Sequence, residues 1–467
     1  MTELHPRLDM TTLRRVFAER LGVHLADDAG FEAATGLAFH DRLVRPGDVF
    51  FALPGGHGHG IAHADAALER GAAFVVSDRP HARGVVVPDP AAALLALGHE
   101  ARAAWSGPIV GISGSVGKTT MKALLAAATG AHASPGNRNT PLALACTLVE
   151  AWLSDDVERP LVLELGIDHV GEMDRLVDLV RPTHGLLTTI DLAHLDGLGD
   201  LEGVTREKGR LLHAATQGRY AGSGAWARLD DELRSRTTQY ALAASQPPSG
   251  TYATNETGAT LEARIHPDDA PVRLTLPGLG SAIAEHALGA LRVARDLGVD
   301  VGLAAARIEA ASIEGRRLEA KRIGDLTVID DTYNASPTSM RLALTVLRDM
   351  PLPHAAVLGD MRELGAHAEG HHDTLATLTK GVPTLWGVGP LSERVVRSHP
   401  NARHYPDVSA ALADVDALPK HGTLLVKGSR GIELERLVDA LVARRDSDGS
   451  STAAGSDDGA RDAVVAR

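Results

Sequence analysis

The amino-acid sequence predicts an α/β protein of three domains built on parallel sheets, and three observations carry that expectation. The chain has 467 residues, more than one hydrophobic core organises at roughly 150 residues per domain. Short apolar runs alternate with helix-spaced segments along most of it, the pattern of parallel strands joined by covering helices. A glycine-rich turn, GISGSVGKTT at 111–120, lies between one such run and a helical segment.

In the first region 48–53 (DVFFAL), 73–77 (AFVVS) and 84–87 (GVVV) read as strands, with helices expected at 63–70 and 91–104. The second region opens with strand 108–112 (PIVGI), the glycine turn and a helix over 118–129. Strands 161–165 (LVLEL) and 185–190 (GLLTTI) follow. The polar stretch 245–257, with its prolines and glycine, reads as a surface excursion, and helical spacing returns at 285–297 before Gly298. The third region offers strands 326–329 (LTVI), 355–358 (AAVL), 384–387 (TLWG) and 423–426 (TLLV). Domains are therefore expected at 1–105, 106–313 and 314–445. The segment DSDGSSTAAGSDDGARDAVVAR at 446–467 has too little apolar content to fold and is expected to be a disordered tail.

Composition narrows the function. The formal net charge of −13 argues against an extended nucleic-acid surface, which leaves a basic footprint. The single cysteine, Cys146, excludes an internal disulfide framework and a cysteine-based zinc site; as a small apolar residue it belongs in the core. The N-terminus MTELHPRLDMTTLRR lacks the apolar core of a secretory signal, and no apolar stretch reaches the roughly 18 residues of a membrane span. A cytoplasmic protein without a membrane span is expected, working as a monomer.

The strongest local signal is GISGSVGKTT. Its glycines let backbone N–H groups close on phosphate oxygens, and the helix N-terminus adds partial positive charge. Gly114, Ser115, Val116, Gly117, Lys118, Thr119 and Thr120 form the expected ATP-phosphate site, with Lys118 on the terminal phosphates and the Thr119 hydroxyl on Mg²⁺. The spacing is a shortened one, since the form GxxxxGK[ST] needs glycine where Ile112 stands. Glu164 lies within LVLELG, a run suited to a buried strand, where a charge is costly unless paired or bound to metal. Near the end of a strand beside the loop strand, it would hold Mg²⁺ opposite Thr119. His194 follows GLLTTI at the sheet end where α/β ligands gather. Spacing alone selects neither it nor Lys208 in TREKGRLL: the chain has 22 histidines, and a helix lysine is ordinarily solvated.

The segments RPGDVFFALPG, ERGAAFVVSD, GISGSVGKTT, LELGIDHVGEMDRL, AHLDGLGDLEGVTREKG, EGRRLE, DDTYNASPTSM, LGDMRELG and VKGSRG run in an order that resembles the Mur ligase family over most of 30–440. GKTT is shared by many NTPases, whereas DDTYNASPTSM, LGDMRELG and VKGSRG are far more specific. The resemblance implies an N-terminal α/β domain for the UDP-substrate, a central P-loop-type parallel-sheet ATPase domain and a C-terminal Rossmann-like α/β domain. It implies an ADP-forming acid–amino-acid ligase working through an acyl phosphate in peptidoglycan precursor synthesis. The implied partners are UDP-N-acetylmuramoyl-tripeptide and D-alanyl-D-alanine, and the implied cofactors ATP and Mg²⁺. Residue roles follow in the same way. Glu164 and His194 match Mg²⁺ ligands, and Lys208 matches a lysine carbamylated by CO₂ that supports a second metal; Lys118, His194 and Lys208 form the catalytic set. Asp331 matches the residue at the ATP ribose, and Arg316, with Arg317 as the alternative register, matches an arginine reaching the phosphates. Arg42, Asn139 and Asn334 fall at substrate-binding positions.

Three segments depart from the family pattern. His40-Asp41-Arg42 keeps only the arginine of a uridine-contacting Asp-Ser-Arg, and AIAEH at 282–286 replaces both asparagines of a segment near adenine, leaving His286 as the available hydrogen-bonding group. In GNRNTPLA, Thr140 stands where a second asparagine is common. Two other readings compete: a sister ligase acting on another carboxylate and amine, and an NTP-switched binding protein, which would need neither His194 nor Lys208.

Overall fold

The structure, a computed structural model, describes residues 8–25, 34–56, 58–154, 156–192, 195–254, 258–313 and 315–453, without the side chains of 195 and 445–453. Its architecture is mixed α/β, in two compact units. One takes in Met1–Gly250, Ala263–Val272 and Glu285–Ala311, the other Thr251–Glu262, Arg273–Ala284 and Ser312–Arg467.

In the first unit an all-parallel sheet runs in the order Gly36–Ala38, Asp48–Ala52, Phe74–Ser77, Gly84–Val86. Asp48–Ala52 and Phe74–Ser77 are buried end to end, as continuous apolar runs require of strands covered on both faces. Helix Pro90–Ala104 starts where it does because Asp89 accepts from the Ala92 N–H at 3.0 Å and proline has no donor to leave unpaired. Its Leu94, Leu97 and Ala101 are fully buried, and Gly98 comes so near helix Pro141–Leu153 that a Cβ would stand 2.6 Å from that of Ala145. One continuous core, including Phe17, Leu94, Leu97, Leu144, Leu148 and Leu161, therefore runs from the N-terminal sheet to the next. Each fully buried leucine contributes roughly 1.5–3 kcal/mol. Cys146 belongs to this core, where burial pushes its thiol up to about 12.

The second sheet has six parallel strands in the order Thr238–Tyr240, Gly218–Gly222, His184–Leu187, Ile109–Ser113, Leu161–Glu164, His132–Ala133. The chain enters at Ile109–Ser113 and adds strands on both sides, so the carboxyl ends of that strand and its two neighbours form the ligand-binding edge. The expected helix over 118–129 is Lys118–Thr129, and helix Ser281–Asp296 begins earlier than expected. The stretch 245–257 differs from the expected excursion. Ser249–Thr254 is a strand in a three-stranded sheet with Ala259–Arg264 and Val272–Leu276. Only the small or single apolar residues Ala259, Leu261 and Ala263 alternate inward there, a period-two signal weak enough to read as loop.

The C-terminal sheet runs Glu319–Ile323, Asp325–Asp331, His421–Lys427, His354–Gly359, Thr384–Val388, Ala402–Tyr405, parallel except for the antiparallel first pair. Alternate side chains enter two cores: Ile329, Leu358 and Leu425 on one face, Val328, Val357, Leu424 and Val426 on the other. The last helix, Glu435–Ala453, continues into the stretch expected to lack structure; 454–467 lie outside the described residues. Among the described residues no helix is long and apolar enough to cross a membrane.

Candidate functional site

The glycine turn leaves strand Ile109–Ser113 and closes on the N-terminus of helix Lys118–Thr129. Gly117 caps that helix at φ 86°, a conformation costly for residues with a Cβ, and a Cβ there would also collide with His286 Nε2. The turn is pinned from the neighbouring strand end. Ser115 N–H donates to Thr189 O at 2.6 Å, Ser115 Oγ to Asp191 O at 2.8 Å, and Thr188 Oγ1 to Val116 O at 2.6 Å. Lys118 folds back so that Nζ donates to Gly114 O at 2.9 Å, across the mouth of the turn.

Glu164 ends the adjacent strand in register with Ile112 and is 2% exposed. Thr119 Oγ1 donates to its Oε2 at 2.9 Å and Asn139 Nδ2 to its Oε1 at 3.3 Å. Three of the expected residues, Thr119, Asn139 and Glu164, thus meet around one carboxylate. A hydroxyl and a carboxylate at a phosphate turn suit Mg²⁺, which keeps several waters and takes few protein oxygens. A fourth residue was not anticipated: Lys122, 5% exposed, donates to Ser134 O at 2.7 Å and to Gly136 O, with Nζ 3.7 Å from Glu164 Oε2. The available signal was its position one helical turn after Lys118.

Lys208 sits on helix Leu201–Ala214, whose N-cap Asp200 accepts from Gly203 N–H at 2.8 Å. It is fully buried, and its Nζ has no hydrogen-bond partner among the described residues. Burial, reinforced by the charge of Lys118, pushes the amine down to about 7 against the opposing pull of Asp168 and Glu207. An amine whose charged form is disfavoured by burial, with no partner among the described residues, gives up its proton readily, which a CO₂-derived carbamate needs. His286 is likewise buried, its Nδ1 without a hydrogen-bond partner among the described residues, and burial lowers it to about 4. His194 lies outside the described residues. Arg42 is exposed on the turn Asp41–Leu43, in the same unit but on the N-terminal sheet.

In the C-terminal unit the three most specific motifs end neighbouring parallel strands. Asp331, in register with Lys427, pairs with its Nζ at 2.6 Å, and the same ammonium donates to Asn334 O at 2.8 Å. Burial raises the Asp331 carboxyl, with Lys427 opposing. Ser429 Oγ accepts from Arg362 N–H at 2.8 Å, which ties VKGSRG to LGDMRELG. Asn334 is exposed, its Oδ1 accepting from Ala335 N–H at 2.9 Å. Arg316 turns to Asp439 at 2.8 Å and Asp330 at 3.4 Å, whereas Arg317 lies over the Tyr333 ring at 3.9 Å and it is Arg317's charge that bears on Asp331.

Comparison with known proteins places these features. Residues 112–289 match the Mur ligase middle domain and 316–430 the Mur ligase, glutamate ligase domain. The UDP-N-acetylmuramoyl-tripeptide–D-alanyl-D-alanine ligase of Mycobacterium tuberculosis (strain ATCC 25618 / H37Rv) is 30% identical, over 91% of this chain and 96% of its own. That of Escherichia coli (strain K12) is 29% identical over 86% and 92%. Among solved structures, MurF from Acinetobacter baumannii is similar in fold with a TM-score of 0.80 at 24% identity, covering 94% of this chain and 99% of that one. MurF ligase from Thermotoga maritima in complex with ADP reaches 0.74 at 23% identity, over 88% and 98%. With both domain matches in sequence order and a 30%-identical relative spanned nearly end to end, the chain belongs to the Mur ligase family.

Proposed function

We propose that this chain is an ATP-dependent ligase that joins D-alanyl-D-alanine to a UDP-N-acetylmuramoyl-tripeptide in the cytoplasm, as a step of peptidoglycan precursor synthesis. The observation that carries this reading is the buried cluster at the strand ends: a phosphate turn with Thr119 bonded to Glu164, and the Lys208 amine, without a partner among the described residues and within electrostatic reach of Lys118. The names of the similar ligases supply the substrate pair. The three expected domains, 1–105, 106–313 and 314–445, stand as the proposed division, each with its own parallel or largely parallel sheet.

The tripeptide carboxylate attacks the γ-phosphorus of ATP; the bond to the ADP oxygen breaks and an acyl phosphate forms. The amine of D-alanyl-D-alanine attacks the acyl carbon, loses a proton and expels phosphate, leaving an amide. Lys118 moves from Gly114 O to the terminal phosphates and offers positive charge where negative charge gathers. Backbone N–H groups of the turn and the helix N-terminus bind the phosphates. Thr119 and Glu164, with His194, are the residues that would hold Mg²⁺, whose contribution when bound is to neutralise the transferring phosphoryl group. Asn139 keeps Glu164 oriented. The Lys208 nitrogen bonds to the carbon of CO₂ and releases one proton, and the carbamate gives this buried group the charge a second cation requires. Asp331 is assigned to the ribose, Arg317 in preference to Arg316 to the phosphates, His286 Nδ1 to adenine, and Arg42 and Asn334 to the substrates.

The test is an activity panel. ADP release that needs both UDP-N-acetylmuramoyl-tripeptide and D-alanyl-D-alanine is the expected result. Turnover only with a different carboxylate and amine would make the chain a sister ligase, and absence of any amine-dependent turnover would overturn the ligase reading.

A further inference from the structure

Lys122 has no place in the chemistry above, yet it is buried beneath the carboxylate on which that chemistry depends. Taking an ammonium out of water costs several kcal/mol unless it is fully hydrogen-bonded or paired. Lys122 is both: it donates to Ser134 O and Gly136 O, and its Nζ stands 3.7 Å from Glu164 Oε2. It follows Lys118 by one helical turn, but the two point to different partners, Lys118 to the turn's Gly114 O and Lys122 to the segment 134–136 leading to Asn139. Glu164 therefore meets a hydroxyl, an amide and a fixed positive charge before any cation arrives.

We propose that Lys122 is a positioning residue that serves as an internal counter-ion for Glu164, so that the site takes a divalent cation together with nucleotide phosphates and not by itself. The inference rests on Glu164 being a cation ligand, as assigned above. The physical reason is the sign of the charge. A fixed ammonium this close weakens the carboxylate's hold on a bare divalent cation, because like charges repel most strongly where water is scarce. The same ammonium favours the metal–triphosphate complex, whose net charge is negative. Without Lys122 the carboxylate keeps its bonds from Thr119 and Asn139 but loses its counter-charge, and so draws a cation directly.

The experiment measures Mn²⁺ binding by electron paramagnetic resonance of the free ion, in the full-length protein, with and without ADP. Lys122→Met removes the charge; Lys122→Gln removes it while keeping donors for Ser134 O and Gly136 O, and stands in should Lys122→Met not fold; Lys122→Arg keeps the charge. Mn²⁺ alone should bind either neutral variant on the order of tenfold more tightly than wild type, the scale of one partly screened charge, with Lys122→Arg close to wild type. Unchanged Mn²⁺ affinity in a folded neutral variant would overturn the counter-ion role. Glu164→Gln separates the two layers: if it abolishes Mn²⁺ binding in the presence of ADP while Lys122→Gln changes nothing without ADP, only the role of Lys122 fails. If Glu164→Gln leaves ADP-dependent Mn²⁺ binding intact, the metal-ligand assignment and the inference built on it both fail.

Discussion

Replacing Lys208 by methionine should stabilise the protein while abolishing its activity, and the gain should depend on pH in a defined direction. The lysine ordinarily titrates at 10.5, and burial pushes it to about 7 in the folded chain. The folded-state value lies below the unfolded one, so between pH 10.5 and about 7 the unfolded chain holds a proton that the folded chain does not. Wild-type stability is therefore free of this burden above pH 10.5 and falls as pH drops through the window. Each pH unit of that separation is worth about 1.4 kcal/mol, so the burden is about 2 kcal/mol at pH 9, about 4 kcal/mol at pH 7 and about 5 kcal/mol in acid. Methionine fills a similar volume without the amine. Urea unfolding midpoints of the first unit, followed from pH 7 to 9 in CO₂-free buffer, should show an advantage of Lys208→Met that shrinks by about 2 kcal/mol. A constant difference in packing between the two side chains shifts every point equally and leaves the slope intact. A pH-independent difference would refute the claim that burial holds the Lys208 amine well below its ordinary value. Bicarbonate added to wild type should raise its midpoint, since a ligand of the folded state stabilises it, and should leave Lys208→Met unmoved.

Three further outcomes are expected. Gly117→Ala should cost about 1–2 kcal/mol from the positive φ alone, and more from its collision with His286, and should raise the KM for ATP; His286→Ala in the same chain should recover the collision part but not the rest. His286 ordinarily titrates near 6.5 and is held at about 4, so wild type should lose about 3 kcal/mol as pH falls from 6.5 to 4, and a chain with His286→Phe should lose that much less over the same interval in urea titrations. Arg316→Met should lower the stability of the C-terminal unit by about 1 kcal/mol through loss of its pairs with Asp330 and Asp439, whereas Arg317→Met should act mainly on the KM for ATP; the reverse pattern would restore Arg316 to the phosphates.

How much of this was legible before the structure depended on how local each signal is. The phosphate turn and its helix are set by a short strand–glycine–helix context, and the helix lies where the spacing put it. Glu164 announced itself as a charge in an apolar run, because such a run has no cheap place for a carboxylate. Gly218–Gly222 and Thr238–Tyr240 did not, since five and three residues of mixed polarity become strands only by pairing with His184–Leu187 and with each other. Lys208 is the sharper case. TREKGRLL reads as a solvated helix face, and only packing of that helix against the sheet removes the amine from water. Lys122 was missed for the same reason, and which way each of the adjacent guanidinium groups of Arg316 and Arg317 turns is a choice that sequence spacing does not encode.

The near-backbone contact of Gly98 with Ala145 bears on how this enzyme can be dissected. Helix Pro90–Ala104 falls within the proposed N-terminal domain, 1–105, yet it packs on helix Pro141–Leu153 of the proposed central one, so a fragment begun at residue 106 would bare part of that helix to water. Exchanging N-terminal domains between related ligases thus calls for a junction before Asp89, so that this helix stays with the central domain. Any bulkier residue introduced at position 98 by such a graft would pry the two apart.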